Sequence, residues 1–224
     1  MTSTKITYLT SEQTTALLAV ADTVRNRAIF TVAYWRGLRA SEVGLLQMSD
    51  WHNDNCRLYV HRVKNSNSGE YLVSPQEAAA LRAWIRVRGT DPGPLFPSRT
   101  IGRAVGRAQL HLLMRAHCER AGIAAPLNHF HALRHSIAVH LAEAGTDVSL
   151  IQDWLGHKSI MNTMVYLKIT NKSRDRAAEA MYGNGKPDVD QRVRVGVNWS
   201  ANKLPAGKPV GKPVGKPAGK PRRK

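Results

Sequence analysis

Five short stretches of the 224-residue chain carry side chains able to grip and attack an anionic ester. They are Arg36-Gly37-Leu38-Arg39-Ala40-Ser41-Glu42, Lys64, His131-Ala132-Leu133-Arg134-His135, Leu155-Gly156-His157, and Tyr166, nine residues beyond His157. Breaking a phosphodiester without metal or nucleotide needs a nucleophile, cations on the non-bridging oxygens and a proton donor for the leaving oxygen. Most of that catalysis is positioning and charge stabilisation. Arginine suits the cationic task, because its planar fork takes two oxygens at once and keeps its charge. A tyrosine hydroxyl, titrating near ~10, attacks once it is helped to shed its proton. Singly, each residue has an ordinary reading. Tyr166 could be a half-buried core tyrosine and Arg39 a surface ion-pair partner. Lys64 could be a hairpin charge, with Arg62 and Lys158 as competing cations. Their joint presence is what points to phosphoryl chemistry.

The overall charge fits that substrate. Lys and Arg number 33 against 16 Asp and Glu, a formal +17 with a pI near 10.5. Such a surplus implies an anionic partner, with nucleic acid first and an anionic membrane surface second. No apolar run approaches the roughly 20 residues of a membrane span, and the polar start at Met1–Lys5 predicts no signal peptide. Cys56 and Cys118 match no disulfide or zinc spacing and read as free thiols of a reducing cytoplasm. His129, His131, His135 and His140 are joined by no cysteine and no acid except Glu143, so no metal is expected.

The elements that must position these residues are mostly helices. Thr10 and Gln13 form a capping box ahead of an apolar run. A second helix is predicted from about Thr23 to Arg36, stopping at Gly37, and a short third one from Ala40. Cys56–Val63 alternates and is β-branched-rich, Asn65–Gly69 is a turn cluster, and Glu70–Val73 returns, so a hairpin carries Lys64 at the mouth of its turn. Ser74-Pro75-Gln76-Glu77 opens the next helix. Further helices are predicted at about Arg103–Ala121, Ala132–Ala144, Asp147–Leu155, after Ser159 to carry Tyr166, and at about Lys172–Met181. Trp35, Trp51, Trp84 and Trp154 read as core residues rather than base-stacking platforms. The fold class expected is mainly α with a small antiparallel hairpin or three-stranded sheet near Asp50–Ser74.

From Gly183 the composition collapses to Gly, Pro, Lys and Val, with a Gly-Lys-Pro-Val/Ala repeat from Gly207 and a closing Arg222-Arg223-Lys224. Proline every fourth residue forbids a helix and nothing is available to bury, which predicts a disordered basic tail at 183–224 after a folded domain at 1–182. Eight positive charges and no acid lie from Lys203 onward; removing those eight from the total of +17 leaves about +9 for the rest.

The ordered set G-L-R-x-S-E, hairpin lysine, H-x-L-R-H, L-G-H and following tyrosine resembles the catalytic domain of the tyrosine recombinases, the phage-integrase family. The resemblance covers roughly Tyr8–Met181. Within the family the short fimbrial phase-switch recombinases are most similar, with a like strand ending in His-Arg-apolar-Lys and the same lack of a separate N-terminal core-binding domain. The resemblance implies site-specific recombination of double-stranded DNA without a cofactor, by a homo-tetramer on two sites, and leaves room for accessory DNA-bending proteins. Residue by residue it makes Arg39 and Arg134 the phosphate-binding arginines. His131 takes the general-base position, His157 the histidine on the scissile phosphate, Lys64 the general acid and Tyr166 the nucleophile. Glu42, one turn after Arg39, is expected to pair with a nearby cation and hold that arginine; His135 is expected to face elsewhere as structural support. Two alternatives stay open: a type IB topoisomerase relaxing DNA without site preference, and a catalytically idle DNA-binding regulator.

Overall fold

The computed structural model describes residues 6–63, 66–98 and 102–168. Lys64, the helix expected at about Lys172–Met181 and the tail from Gly183 lie outside the described residues. Among those described are eight α-helices: α1 (Ser11–Ala19), α2 (Val24–Trp35), α3 (Ala40–Val43), α4 (Pro75–Arg88), α5 (Arg107–Arg120), α6 (His131–Glu143), α7 (Val148–Leu155) and α8 (Met161–Leu167). One three-stranded antiparallel sheet interrupts them: β1 (Trp51–His52), β2 (Arg57–Val60) and β3 (Gly69–Leu72), in that order. The mainly helical class with a small sheet is therefore the one the sequence predicts.

Local signals account for most boundaries. The Thr10–Gln13 capping box is formed on both sides, and Ser74 with Glu77 forms another, with Pro75 in the first turn of α4. Thr23 and Asp147 cap α2 and α7 through their side-chain oxygens. Two boundaries differ from expectation. Cys56 sits in a turn with φ 52°, so β2 begins at Arg57. Helix α5 begins at Arg107 rather than near Arg103, because residues 103–105 pair with 96–98. Val105 N–H donates to the Phe96 carbonyl (2.9 Å) and Ser98 N–H to that of Arg103 (2.7 Å), which holds that stretch extended.

The core is organised around α2 and α6. Helix α2 buries Ala28 through Tyr34 on consecutive positions, the pattern of a helix enclosed on every side, and it packs on α4 and α6. Helix α6 buries Leu133, Arg134, Ile137, Ala138 and Val139 and is flanked by α7 and α8. Of the four tryptophans read as core, Trp51 and Trp84 are buried and Trp35 and Trp154 half-buried. Cys56 and Cys118 are free. No described helix is long and apolar enough to cross a membrane.

Candidate active site

Two helix ends set the site, and each needs a glycine. At the end of α2, Gly37 takes φ 56°, Leu38 N–H reaches back to the Ala33 carbonyl (2.9 Å) and Gly37 N–H to that of Tyr34 (3.0 Å). This left-handed closure satisfies the last carbonyls of the helix and turns the chain so that Arg39 starts α3. A Cβ on Gly37 would lie 2.6 Å from Leu155 Cδ2. The end of α7 repeats the device. Gly156 has φ 69°, His157 N–H donates to the Gln152 carbonyl (2.9 Å) and Gly156 N–H to that of Asp153 (2.8 Å). A Cβ there would come within 2.5 Å of the Asn67 carbonyl oxygen. That close approach lets Asn67 N–H bond the Gly156 carbonyl (2.8 Å), so the far side of the hairpin is stitched to the α7 end. The glycines of G-L-R and L-G-H thus deliver Arg39 and His157.

Between these ends lies a buried charge cluster. Glu42, with 0% exposure, accepts from Arg39 Nη1 at 2.6 Å, from Arg39 N–H at 2.9 Å and from Arg62 Nη1 at 3.0 Å, and Arg134 Nη1 stands 3.9 Å away. Burial alone would raise its pKa; Arg62 first, then its bonds to Arg39 and the charge of Arg134, hold it below the ordinary carboxylate value. The expected pairing of Glu42 with a cation is present, and with three cations rather than one. Arg134, 1% exposed, donates to the carbonyls of Gly37 (2.6 Å) and Leu155 (2.9 Å). Burial, then the nearby Arg39 and Arg62, push its pKa down to about 9, so it remains charged at neutral pH. Arg39 is 28% exposed and also donates to Ser66 Oγ (3.0 Å), which leaves it the outermost of the group.

Arg62, a cation competing with Lys64 in the sequence, turns out to have a structural place that the sequence did not show. Its side chain is fully buried and donates to the carbonyls of Arg36 (2.8 Å), Gly37 (3.2 Å) and Trp154 (2.9 Å) as well as to Glu42. It joins the end of β2 to the ends of α2 and α7, and so is spent on structure rather than free to rival Lys64 as a proton donor. Lys158, the other competing cation, is exposed. Next to this cluster, Arg36 pairs with Glu77 at 2.8 Å and lies over the Trp154 ring at 4.7 Å, tying α2 to α4 and α7. No local pattern shows that the Arg62 side chain is buried; the sequence marks it only as a cation two residues before the hairpin lysine.

The histidines and the tyrosine complete the site. His157 is buried, its Nδ1 is 2.9 Å from Thr163 Oγ1, and burial together with Arg134, Arg39 and Arg62 pushes its pKa down to about 3. Tyr166, 3% exposed, lies on α8 with its hydroxyl 3.0 Å from His135 Nδ1. Burial raises the phenol's pKa, and the charges of Arg134 and Arg39 pull against that rise. His135 therefore does not face away: positions 131 and 135 are one helical turn apart, and α8 packs along that side of α6. The two rings meet edge to face, centroids 4.5 Å apart. His131 stands at the exposed start of α6, yet the protein packed around it and the charges of Arg134 and Arg39 push its pKa down to about 4; His135 is pushed to about 4 by burial, then by His131, His129 and Arg134. The outer histidines have separate partners, His129 with Thr7 Oγ1 (2.9 Å) and His140 with Tyr34 Oη (2.8 Å) and the Leu9 carbonyl (3.0 Å). Arg39, His131, Arg134, His157 and Tyr166 are thus brought together from distant segments.

A profile described as the phage integrase family matches residues 7–173. The type 1 fimbriae regulatory protein FimB of Escherichia coli (strain K12) is 33% identical over 170 residues, covering 72% of this chain and 84% of FimB. Tyrosine recombinase XerA of Pyrococcus horikoshii is 27% identical over 173 residues, covering 76% of this chain, which spans 60% of that relative's length. Among solved structures, the XerA recombinase superposes with a TM-score of 0.69 at 24% identity, covering 82% of this chain and 66% of that one. XerH, solved bound to palindromic difH substrate in a post-cleavage complex, gives 0.66 at 24% identity, covering 78% and 53%. With that family profile spanning most of the chain and a fimbrial relative one-third identical across it, the chain belongs to the phage integrase family, as an enzyme of the tyrosine-recombinase type.

Proposed function

We propose that Tyr166 attacks a phosphodiester of double-stranded DNA at a specific recombination site, forms a 3′-phosphotyrosine and releases a 5′-hydroxyl. A second strand's 5′-hydroxyl then reverses the step, so the bond energy is conserved without a cofactor. The observation that carries this reading is the packing of α8 on α6, which sets the Tyr166 hydroxyl 3.0 Å from His135 on the helix that bears Arg134, with Arg39 tied to the same Glu42 that Arg134 approaches. Arg39 and Arg134 take the non-bridging oxygens; Arg134 uses two of its five N–H donors on carbonyls, which fixes the direction of the others. A Thr163 hydroxyl donating into His157 Nδ1 leaves the ring proton on Nε2, where it can bond a phosphate oxygen. A histidine at the start of α6 accepts the phenol proton, His131 being the position the resemblance assigns, and Lys64 protonates the leaving oxygen.

The assembly proposed is a homo-tetramer on two DNA sites, with residues 172–181 seated on a neighbouring copy. Residues 183–224 act as a sequence-independent tether to the duplex. The relatives XerH and the Tn1549 transposon integrase are solved on their own DNA substrates, which supports DNA as the partner here.

The test is covalent trapping on duplexes nicked beside sites selected by binding from a random pool, with wild type and Tyr166→Phe side by side. The wild type should form a denaturation-resistant adduct and the Phe variant none. Salt-sensitive binding with no adduct from the wild type would overturn the reading in favour of a DNA-binding regulator. Removing residues 183–224 should flatten the salt dependence of binding while the adduct still forms.

A further inference from the structure

We propose that Arg62 is a positioning residue for strand cleavage: it holds one oxygen of Glu42 and ties the two glycine helix ends together, so that Arg39 and Arg134 keep donors for the phosphate. This rests on Arg39 and Arg134 being the residues that bind that phosphate.

Arg62 and Arg134 lie on one set of acceptors. Both donate to the Gly37 carbonyl, Arg62 Nη1 at 3.2 Å and Arg134 Nη1 at 2.6 Å. At the end of α7 they take neighbouring carbonyls, Arg62 that of Trp154 (2.9 Å) and Arg134 that of Leu155 (2.9 Å). Arg62 adds the Arg36 carbonyl (2.8 Å) at the end of α2. Carbonyls at a helix C-terminus have no partner within the helix and carry its partial negative charge. The two buried guanidinium groups therefore close two helix ends together, and a shift of either end moves acceptors of both. The glycine of L-G-H makes room for this. A Cβ on Gly156 would lie 3.2 Å from Arg62 Cγ and Nε. The main chain beside Arg62 is held too, Arg62 N–H donating to Ser68 Oγ (3.0 Å) and Val63 N–H to Glu42 Oε1 (3.4 Å).

Charge gives the arrangement its consequence for the reaction. Three guanidinium groups surround one carboxylate, which leaves an excess of two positive charges. Glu42 Oε2 is taken by Arg62 Nη1 at 3.0 Å, while Arg134 Nη1 stands off at 3.9 Å, beyond a hydrogen bond. Arg39 gives Nη1 to Glu42 Oε1 and Ser66 Oγ; among the described residues no protein acceptor takes its Nη2 or Nε. Arg62 has 0% side-chain exposure, so it balances the carboxylate without being able to reach a substrate itself. Without Arg62, Glu42 keeps its charge in a buried setting and draws in Arg39 and Arg134, and the Arg36 and Trp154 carbonyls lose this donor. A displacement of about 1 Å in those two arginines is enough to slow the chemistry strongly. Lysine is a poor replacement. Arg62 spreads its donors over two nitrogens, Nη1 to Gly37 and Glu42 and Nη2 to Arg36 and Trp154, whereas an ammonium is a single point.

The test uses two suicide duplexes of one binding-selected site, the first with the natural scissile phosphodiester and the second with a neutral methylphosphonate there. The methylphosphonate has no charge for the arginines to hold, so the ratio of the two single-turnover adduct rates reports how well they hold it. Wild type is compared with Arg62→Met, Arg62→Lys, Arg39→Ala and Leu17→Ala, the last a core truncation in α1 away from the site. Each protein is assayed below its melting temperature. Arg62→Met should cleave the phosphodiester at least about 10²-fold more slowly and the methylphosphonate less than about 10-fold more slowly, which moves the ratio toward that of Arg39→Ala. The loss should lie in the rate at saturating DNA rather than in the half-saturating concentration. Arg62→Lys should fall between wild type and Arg62→Met, and Leu17→Ala should keep the wild-type ratio. If Arg62→Met does not fold at the assay temperature, Arg62→Lys is judged by the same ratio. A wild-type ratio in the Arg62 variants, or an Arg62→Lys protein as fast as wild type, overturns the proposal and leaves Arg62 a structural tie alone. A ratio shifted equally in Leu17→Ala overturns it as well. An unchanged ratio in Arg39→Ala would instead remove the phosphate-binding reading on which the proposal stands.

Discussion

The arginine cluster and the tyrosine face meet at one site but are held very differently. On the arginine side, Glu42, Arg62 and Arg134 are buried and joined by short bonds to one another and to the carbonyls of Arg36, Gly37, Trp154 and Leu155. On the tyrosine side, the Tyr166 hydroxyl has one hydrogen bond among the described residues, to His135, and α8 is a helix of seven residues. The first region must hold cations in place before any anion arrives, so its buried charges are fixed by many partners. In the proposed reaction the second lets an oxygen move toward phosphorus and return, and a single neutral contact costs little to break. The buried polar contacts are concentrated on the arginine side.

Three measurements would break or sharpen that contrast. The largest effect is expected from Glu42→Gln, which leaves Arg62 and Arg134 buried without their carboxylate. Urea unfolding should show a loss of about 3–5 kcal/mol. His135→Asn, on the other side, should change stability by less than about 1 kcal/mol. If Glu42→Gln were as stable as wild type, the arginine side would not be the more firmly held one.

Acid should erode the site next. His157 and His135 ionise near pH 6.5 when unfolded, and their folded values are pushed down to about 3 and about 4. Between those limits the unfolded chain binds more protons than the folded one, so stability falls as pH drops from about 6.5 toward 4. Glu42, held below its ordinary 4.5, adds to the loss at the acid end, because its contribution disappears as pH falls through its folded value. A drop of roughly 2 kcal/mol from each of the two rings is expected between pH 7 and pH 5. Unchanged urea midpoints across that range would show that these rings are not held neutral.

The smallest effect is expected from Thr163→Val. It removes the hydroxyl bonded to His157 Nδ1 inside a buried setting and should cost about 1 kcal/mol. In the proposed reaction adduct formation should slow as well, since the Thr163 bond is what would keep the His157 ring proton on Nε2. A valine variant as fast as wild type would place the ring's orientation with the Gly156 turn instead.

How much of this was legible in the chain follows from the range of each interaction. Capping boxes, glycine helix ends and the alternation of the hairpin act over three to five residues, and these signals foretold nearly every element and the stretches bearing Arg39, Arg134, His157 and Tyr166. The start of α5 was placed too early because residues 103–105 just before it are held extended by backbone bonds to residues 96–98, a pairing local propensity does not show. His135 was misjudged for a related reason. Helical periodicity puts it on the face of His131, but the tyrosine's choice between them depends on where α8 packs.

The sequence by itself determined the family and the mainly helical class and picked out the stretches that meet at the candidate site, because residue types and local spacing are enough for those. Only the tertiary structure decided that Arg62 is a buried tie rather than a proton donor, that Glu42 serves three arginines, and that Tyr166 bonds His135. Those outcomes rest on contacts such as Arg62 to Trp154 and Arg134 to Gly37, spanning 92 and 97 residues. Contacts of that length are set by how α2, α6, α7 and the hairpin pack together, and no short window of sequence contains that information.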